Sequence, residues 1–255
     1  SLEKLVINKI NIIKISSELD VPKETIRRKV NELQNEDILI REGKKIILNK
    51  NATDFQKPQA SLDAMASLLE KKSNNLHSEK WFGSSLKKEE VKSYIEKYFT
   101  IIWLRFLRLQ IPFLTRHRAV FGDLETWMIW GNVAVHHQKN LAKVVDESLI
   151  SGNLGSDEIK LTNYYHSVTN TNVPRGINAS SISDITSIPR ATVIRKLKWL
   201  VKQNVLKKNI QLEYHMNCKG KMNKKIENNF KINQIFLAEF LTDFFDYYKN
   251  SNFKP

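Results

Sequence analysis

The stretch from Ile10 to Leu39 returns without a gap as Ile177 to Leu206, so the chain must fold in a way that uses one supersecondary unit twice. Ten of the thirty aligned positions are identical: Ile10/Ile177, Asn11/Asn178, Ile15/Ile182, Ser16/Ser183, Pro22/Pro189, Thr25/Thr192, Arg28/Arg195, Lys29/Lys196, Leu33/Leu200 and Leu39/Leu206. The spacing predicts a short helix, a tight turn and a longer helix in each copy. Ile15 with Leu19, and Ile182 with Ile185, share a face of the first helix, and Asn11 and Asn178 stand where a cap belongs. Ser16 and Ser183 are small, as a close helix crossing requires. Val21-Pro22 and Ile188-Pro189 end the turn, because proline's missing N–H has no partner to lose at the first helical position. In the second helix Ile26, Val30 and Leu33, and Val193, Leu197 and Leu200, form one stripe of 3.6-residue period. The opposite face carries Glu24, Arg28 and Asn31 in one copy and Ala191, Arg195 and Lys198 in the other.

The residues that follow sharpen the reading. Ile38 to Arg41 and Lys45 to Leu48 are β-prone runs around the turn Glu42-Gly43-Lys44, which predicts a hairpin. A helix pair followed by a hairpin resembles the winged helix-turn-helix family of bacterial regulators. Ile188 to Leu197 and Val21 to Val30 look like the starts of that family's recognition helix, and the resemblance covers roughly a third of the chain. It implies that this helix lies in the major groove, its N-terminal residues reading base edges while the wing touches the backbone. Two positions depart from the family. Its turn glycine is Asp20 here and Ser187 in the second copy, and the second wing, Lys207 to Met216, has no glycine at its tip.

Charge points to the same partner. The net charge is +14 and the pI about 9.7, values that suit a polyanion-binding protein. Lysine, asparagine and isoleucine are also what A- and T-rich coding sequence produces, so arginine is the cleaner signal. Four of ten arginines, Arg27, Arg28, Arg190 and Arg195, fall in the two recognition helices, where even placement would put about one. The copies differ, however. Residues 1–50 hold eleven Lys/Arg against eight Asp/Glu, whereas residues 171–225 hold twelve against Asp184 and Glu213 alone. Non-specific attraction to phosphate is therefore expected mainly from the second copy.

Between the copies, residues 51–89 read as a linker with a short helix at Ser61 to Lys72. Residues 90–122 read as an aromatic connector, helical from Glu90 to Gln110 and ended by Pro112. A membrane span is disfavoured there, since the apolar run is shorter than about twenty residues and contains Arg105 and Arg108, each costing roughly 2.5 to 3.5 kcal/mol at a bilayer centre. A helix from Asp123 to Gln138, with Trp127, Trp130, Val133 and His137 on one face, is expected to open the second module (residues 123–225), with about forty residues inserted before Asn178. Residues 226–255 read as an amphipathic helix with an aromatic stripe. Tyr98, Trp103, Phe106, Phe236, Phe240 and Phe244 are candidates for a homodimer seam.

Catalysis finds little support, and no cofactor is expected. The pair His136-His137 points about 100° apart on a helix and lacks further ligands at metal spacing. No GxxxxGK[ST], GxGxxG or HExxH occurs. Cys218 is alone, which rules out an intrachain disulfide and suits a reducing cytoplasm. The chain begins at Ser1, so part of the helix preceding the first copy is expected to lie outside it, and no secretory or lipidation signal is visible.

The expectation is a mainly α protein with small β-hairpin wings: two winged helix-turn-helix units joined by a helical connector, not an enzyme, cytoplasmic and nucleoid-associated in a bacterium. Its partner would be double-stranded DNA at specific sequences, as for a transcriptional regulator. A plasmid-type replication initiator with tandem winged helices is the alternative, and a tandem winged-helix protein-interaction adaptor the second. Candidate DNA contacts are Lys23, Thr25, Arg27, Arg28, Asn31, Lys44 and Lys45 in the first copy. In the second they are Arg190, Thr192, Arg195, Lys196, Lys198, Lys207 and Lys208. Thr25, Arg28, Thr192 and Arg195 would reach bases and the lysines phosphates. No polar constellation identifies a small-molecule effector.

Overall fold

Chain order is β1 (Val6–Ile7), α1 (Ile12–Leu19), α2 (Lys23–Asn35), β2 (Leu39–Glu42), β3 (Lys45–Leu48), α3 (Gln59–Ser78), α4 (Lys88–Lys97), α5 (Phe99–Phe121), α6 (Leu124–Leu141), α7 (Ala179–Thr186), α8 (Arg190–Lys202), β4 (Leu206–Lys208), β5 (Tyr214–Met216) and α9 (Lys221–Asn250). The computed structural model describes residues 6–7, 12–42, 45–49, 59–78, 80, 83, 85–141, 165–166, 169, 173–217, 219–251 and 253, with side chains outside 6–7 and 42–48. Asn11, Lys44, Cys218 and most of the insertion before Asn178 lie outside the described residues, as does the side chain of Lys45. The described residues are mainly helical, with two small antiparallel sheets. They form two units, residues 1–99 with 252–255, and residues 100–251.

The two repeat copies share their helix bounds at aligned positions, because the same local interactions set them. Ser16 Oγ donates to the Val21 carbonyl at 2.6 Å and Ser183 Oγ to the Ile188 carbonyl at 2.7 Å, pinning each turn to the preceding helix. The turn residue is left-handed in both, Asp20 at φ 50° and Ser187 at φ 57°. Pro22 and Pro189 sit one position earlier than expected, as N-caps of α2 and α8 rather than their first helical residues. Their carbonyls accept from Ile26 and Val193 N–H, each at 3.1 Å. Asn178 caps α7 as expected, accepting from Ser181 N–H at 2.9 Å.

The hairpins also correspond. In the first unit β3 pairs with β2 (Leu39↔Leu48 to Glu42↔Lys45) and with β1 (Val6↔Ile47, Ile7↔Ile46). In the second, β5 pairs with β4 (Leu206↔Met216 to Lys208↔Tyr214), and Ile177 bridges Tyr214. The second hairpin closes without glycine at its tip. Asn209 does the work: its side chain donates to Glu213 Oε2 at 2.9 Å and accepts from Glu213 N–H at 2.8 Å, while Leu212 takes the left-handed turn position at φ 63°.

Packing differs sharply between the copies. In the first, α1 buries no residue and α2 only Ile26. In the second, Ile182, Val193, Leu197, Leu200 and Leu206 join Phe121, Ile129, Val133, Tyr214 and Ile226 in one core. The helix expected from Asp123 to Gln138 is α6, and it packs on α7, α8 and β5. Gly220, the N-cap of α9, allows one close approach within this unit, since a Cβ there would stand 2.1 Å from the Gln203 carbonyl oxygen. Backbone cannot swing aside as a side chain does. Gly220→Ala is therefore expected to cost about 1 to 3 kcal/mol, measured as a lower urea midpoint at unchanged m-value.

Three expectations for the middle of the chain are corrected. The segment read as linker contains α3, which runs from Gln59 to Ser78 and packs Leu62, Ala66 and Leu69 on α4 with Val91, Tyr94 and Ile95. The aromatic connector is not one helix, because the chain breaks at Tyr98 between α4 and α5. Pro112 does not end α5, which continues to Phe121. Proline there removes one backbone bond, to the Arg108 carbonyl, but α5 is tied along α9 on both sides of it. Arg105 pairs with Asp243 and donates to Tyr247 Oη at 2.8 Å, and Arg116 donates to Asn233 Oδ1 at 2.7 Å. The falling partner numbers make the two helices antiparallel.

Candidate nucleic-acid interface

α8 presents one face to the core through Val193, Leu197 and Leu200, which leaves the opposite face to solvent. That outward face is Ala191, Arg195, Lys198 and Lys202, at i, i+4, i+7 and i+11, and all four are exposed. The aligned positions on α2 are Glu24, Arg28, Asn31 and Asn35, also all exposed. Charge on these four positions sums to +3 in the second copy (three cations) and to zero in the first (one cation, one anion).

Ion pairing widens the difference. On α2, Arg27 pairs with Glu24 at 2.6 Å, Arg28 with Glu32 at 3.6 Å, and Lys29 with the same Glu32. Glu32's carboxyl lies below its usual range, held there first by the Lys29 hydrogen bond. Lys23 and Asn31 are exposed on the same helix, and Thr25 is half-buried beside them. On α8, among the described residues, no carboxylate pairs with Arg190, Arg195, Lys198 or Lys202. Arg190 Nε instead donates to Ser180 Oγ at 3.0 Å, across to α7. Thr192 is half-buried at the start of the helix. On the hairpin, Lys207 and Lys208 are exposed, with the Lys208 ammonium 5.7 Å above the Tyr214 ring.

Lys196 is a correction. Expected at the DNA, it is buried, with its side chain only 7% exposed. Its ammonium donates to both carboxylate oxygens of Asp123 at 2.7 Å and to Thr126 Oγ1 at 3.0 Å, with Glu125 at 3.3 Å. The reason is its position at i+3 from Val193, on the inward face, where the start of α6 supplies the counter-charge. Its aligned partner Lys29 is exposed. Lys202, by contrast, escaped the sequence reading, although its spacing of four from Lys198 already put it on the outward face.

The six candidate seam residues do not share one fate. Phe240 and Phe244 are buried at 5% and 3% exposure, with Phe240's ring edge-on to Phe106 at 6.2 Å, which removes both from any seam. Trp103 and Phe106 are half-buried against each other at 5.2 Å, and Phe236 lies under the Arg116 guanidinium. Tyr98, in the first unit, rests half-buried on Tyr94 at 4.8 Å. Exposed apolar side chains on α5 are instead Ile101, Leu104 and Ile111.

Among the described residues no helix is long and apolar enough to cross a membrane, and no three His, Cys, Asp or Glu side chains converge as metal ligands. Comparison of the chain with family models, curated proteins and solved structures returns no match.

Proposed function

We propose that the chain is a sequence-specific duplex-DNA-binding protein, a transcriptional regulator built from two winged helix-turn-helix units. The observation that carries this reading is the outward face of α8, where Arg195, Lys198 and Lys202 stand exposed without carboxylate partners among the described residues while the other face is fixed in a core. A helix held this rigidly fits a major groove about 12 Å wide. Arg195, one turn into the helix, is the candidate for a guanine edge, and Thr192 lies on the same first turns. Lys198, Lys202, Lys207 and Lys208 supply phosphate contacts, the last two from the hairpin acting as wing. A homodimer belongs to this reading, since such proteins match two half-sites, and the exposed Ile101, Leu104 and Ile111 on α5 and Ile235 on α9 offer apolar surface for it.

The first unit reads differently. Three of its four recognition-helix cations, Arg27, Arg28 and Lys29, already face Glu24 and Glu32, which favours a partner other than phosphate, such as a protein surface. The experiment is a titration of sequence-selected genomic duplexes with wild type and two variants. Arg195→Ala is expected to relax preference at one base pair, costing roughly 1 to 3 kcal/mol there. The triple change Ala191→Glu, Lys198→Asn and Lys202→Asn gives α8 the charge pattern of α2, and should weaken all sequences alike. Unchanged affinity of the triple variant would remove α8 from the interface.

A further inference from the structure

The second hairpin ends in a three-residue turn, Ile210-Gln211-Leu212, closed by the Asn209 N–H donating to the Glu213 carbonyl at 3.0 Å. Ile210 is 94% exposed and Leu212 61%. Aliphatic side chains scattered singly over a surface need no explanation, but here two share one turn, and Leu212 holds it at φ 63°, the left-handed position that glycine usually fills in a hairpin of this length. The turn is nevertheless fixed. Leu212 N–H donates to the Asn209 carbonyl at 3.2 Å, Glu213 N–H to Asn209 Oδ1 at 2.8 Å, and the Asn209 amide to Glu213 Oε2 at 2.9 Å. Gly176 N–H donates to the same Oε2 at 3.3 Å, and these bonds, that of Asn209 first, hold the Glu213 carboxyl below its usual range. The hairpin's only carboxylate is thus tied back to Asn209 and Gly176, and what it presents outward is Lys207, Lys208, Ile210, Gln211 and Leu212.

Two cations behind an aliphatic tip fit a surface of phosphates over stacked, apolar bases. The hairpin is joined to α8 by residues 203–205 alone, so with α8 in a major groove its tip meets the phosphate backbone and the minor groove beyond. That groove, about 6 Å wide, excludes a helix and admits a side chain. We infer, resting on the DNA reading, that the second wing is a wedge: Ile210, backed by Leu212, enters the minor groove and partly unstacks one base step, bending the duplex toward the major groove. Lys207 and Lys208 hold the phosphates beside it. Unstacking is easiest at TA and CA/TG steps, so the wedge selects sequence at a step that no side chain hydrogen-bonds. The first unit lacks this device, since the residues between β2 and β3, with the strand ends, read Glu42-Gly43-Lys44-Lys45 and include no apolar side chain at the turn.

The test uses the full chain on its sequence-selected duplexes, labelled at both ends for FRET and probed with permanganate, which oxidises unstacked thymines. Wild type is expected to bend the duplex by about 20 to 90° and to expose a thymine at a TA or TG step, at a fixed distance from the base pair whose preference Arg195→Ala relaxes. Ile210→Ser should lose most of the bend and the reactive thymine while keeping the wild-type urea midpoint, because the side chain it removes is exposed. Its affinity should fall by less than about tenfold, because the cost of unstacking disappears together with the contact. Ile210→Met, still an apolar wedge, should restore both signals. Changing the reactive step to AA should weaken wild type about tenfold and Ile210→Ser hardly at all. A bound duplex that stays straight with its thymines protected, or one that Ile210→Ser bends as wild type does, would overturn the wedge and leave DNA binding standing. Failure of every duplex to bind would overturn both. Ile210-dependent sedimentation with phosphatidylserine vesicles, beside a straight duplex, would give the tip to a bilayer and overturn the wedge likewise.

Discussion

Asp123→Ala is expected to destabilise the second unit by about 3 to 4 kcal/mol, a loss of roughly 10 °C in Tm. Asp123 has two roles at the start of α6. It accepts from Thr126 N–H at 2.7 Å as a helix cap, worth about 1 kcal/mol, and it holds the buried Lys196 ammonium. Removing one member of a buried pair leaves the other charge unpaired, which costs about 3 to 5 kcal/mol when nothing compensates. Glu125 at 3.3 Å compensates in part, and Asp123 itself is half exposed, so the lower end applies. Asp123→Asn keeps the cap and loses the charge, for an expected cost of about 2 kcal/mol. Adding Lys196→Met to Asp123→Ala removes the stranded charge and should restore most of the loss. Should Asp123→Asn unfold at the wild-type urea midpoint at pH 7, charge would not be what holds Lys196.

The pH dependence has a definite sign. Burial works to raise the pKa of Asp123, and the hydrogen bonds from Lys196 and Thr126 outweigh it, so the carboxyl lies below its ordinary value in the fold. A carboxylate held low contributes fully above its unfolded pKa, about 3.9, and loses that contribution as pH falls through the folded value. The stability gap between wild type and Asp123→Asn should hold from pH 7 to about 5 and close below about 4.

What the sequence revealed and what it hid divide along the range of the interactions involved. The aligned helices, the left-handed Asp20 and Ser187 and the Asn178 cap depend on residues within a few positions, so the repeat displays them directly. Lys196 was misread because its fate rests on Asp123, 73 positions earlier, and because identity with Lys29 suggested a shared role. Pro112 stayed helical for a similar reason, with Arg105 and Arg116 anchoring α5 to residues more than a hundred positions away. A cleft in the second unit walled by Phe113, Trp130 and Phe230 was invisible too: each residue fits an ordinary apolar stripe, and the cleft forms only where α5, α6 and α9 meet.

Raising salt from 50 to 200 mM is expected to weaken duplex-DNA binding about five-hundredfold, the second large effect. With Arg195 reading a base edge, Arg190, Lys198, Lys202, Lys207 and Lys208 are the five exposed cations on α8 and its hairpin left for phosphates. Each phosphate they neutralise releases a condensed counterion, giving log K a slope near −0.9 per contact against log salt, so five contacts give a slope near −4.5. Lys207→Ala with Lys208→Ala should make it shallower by about 2, and leave sequence preference intact because phosphates carry no base identity. Charge reversal in the first unit, Arg27→Glu with Arg28→Glu, should change the slope by less than about 1, since those cations already face Glu24 and Glu32. Fluorescence anisotropy of a labelled duplex across the salt range measures all three slopes. A flat response in the wild type would sink the DNA reading, and a larger loss from the α2 pair than from the hairpin pair would mean that DNA meets the first unit instead.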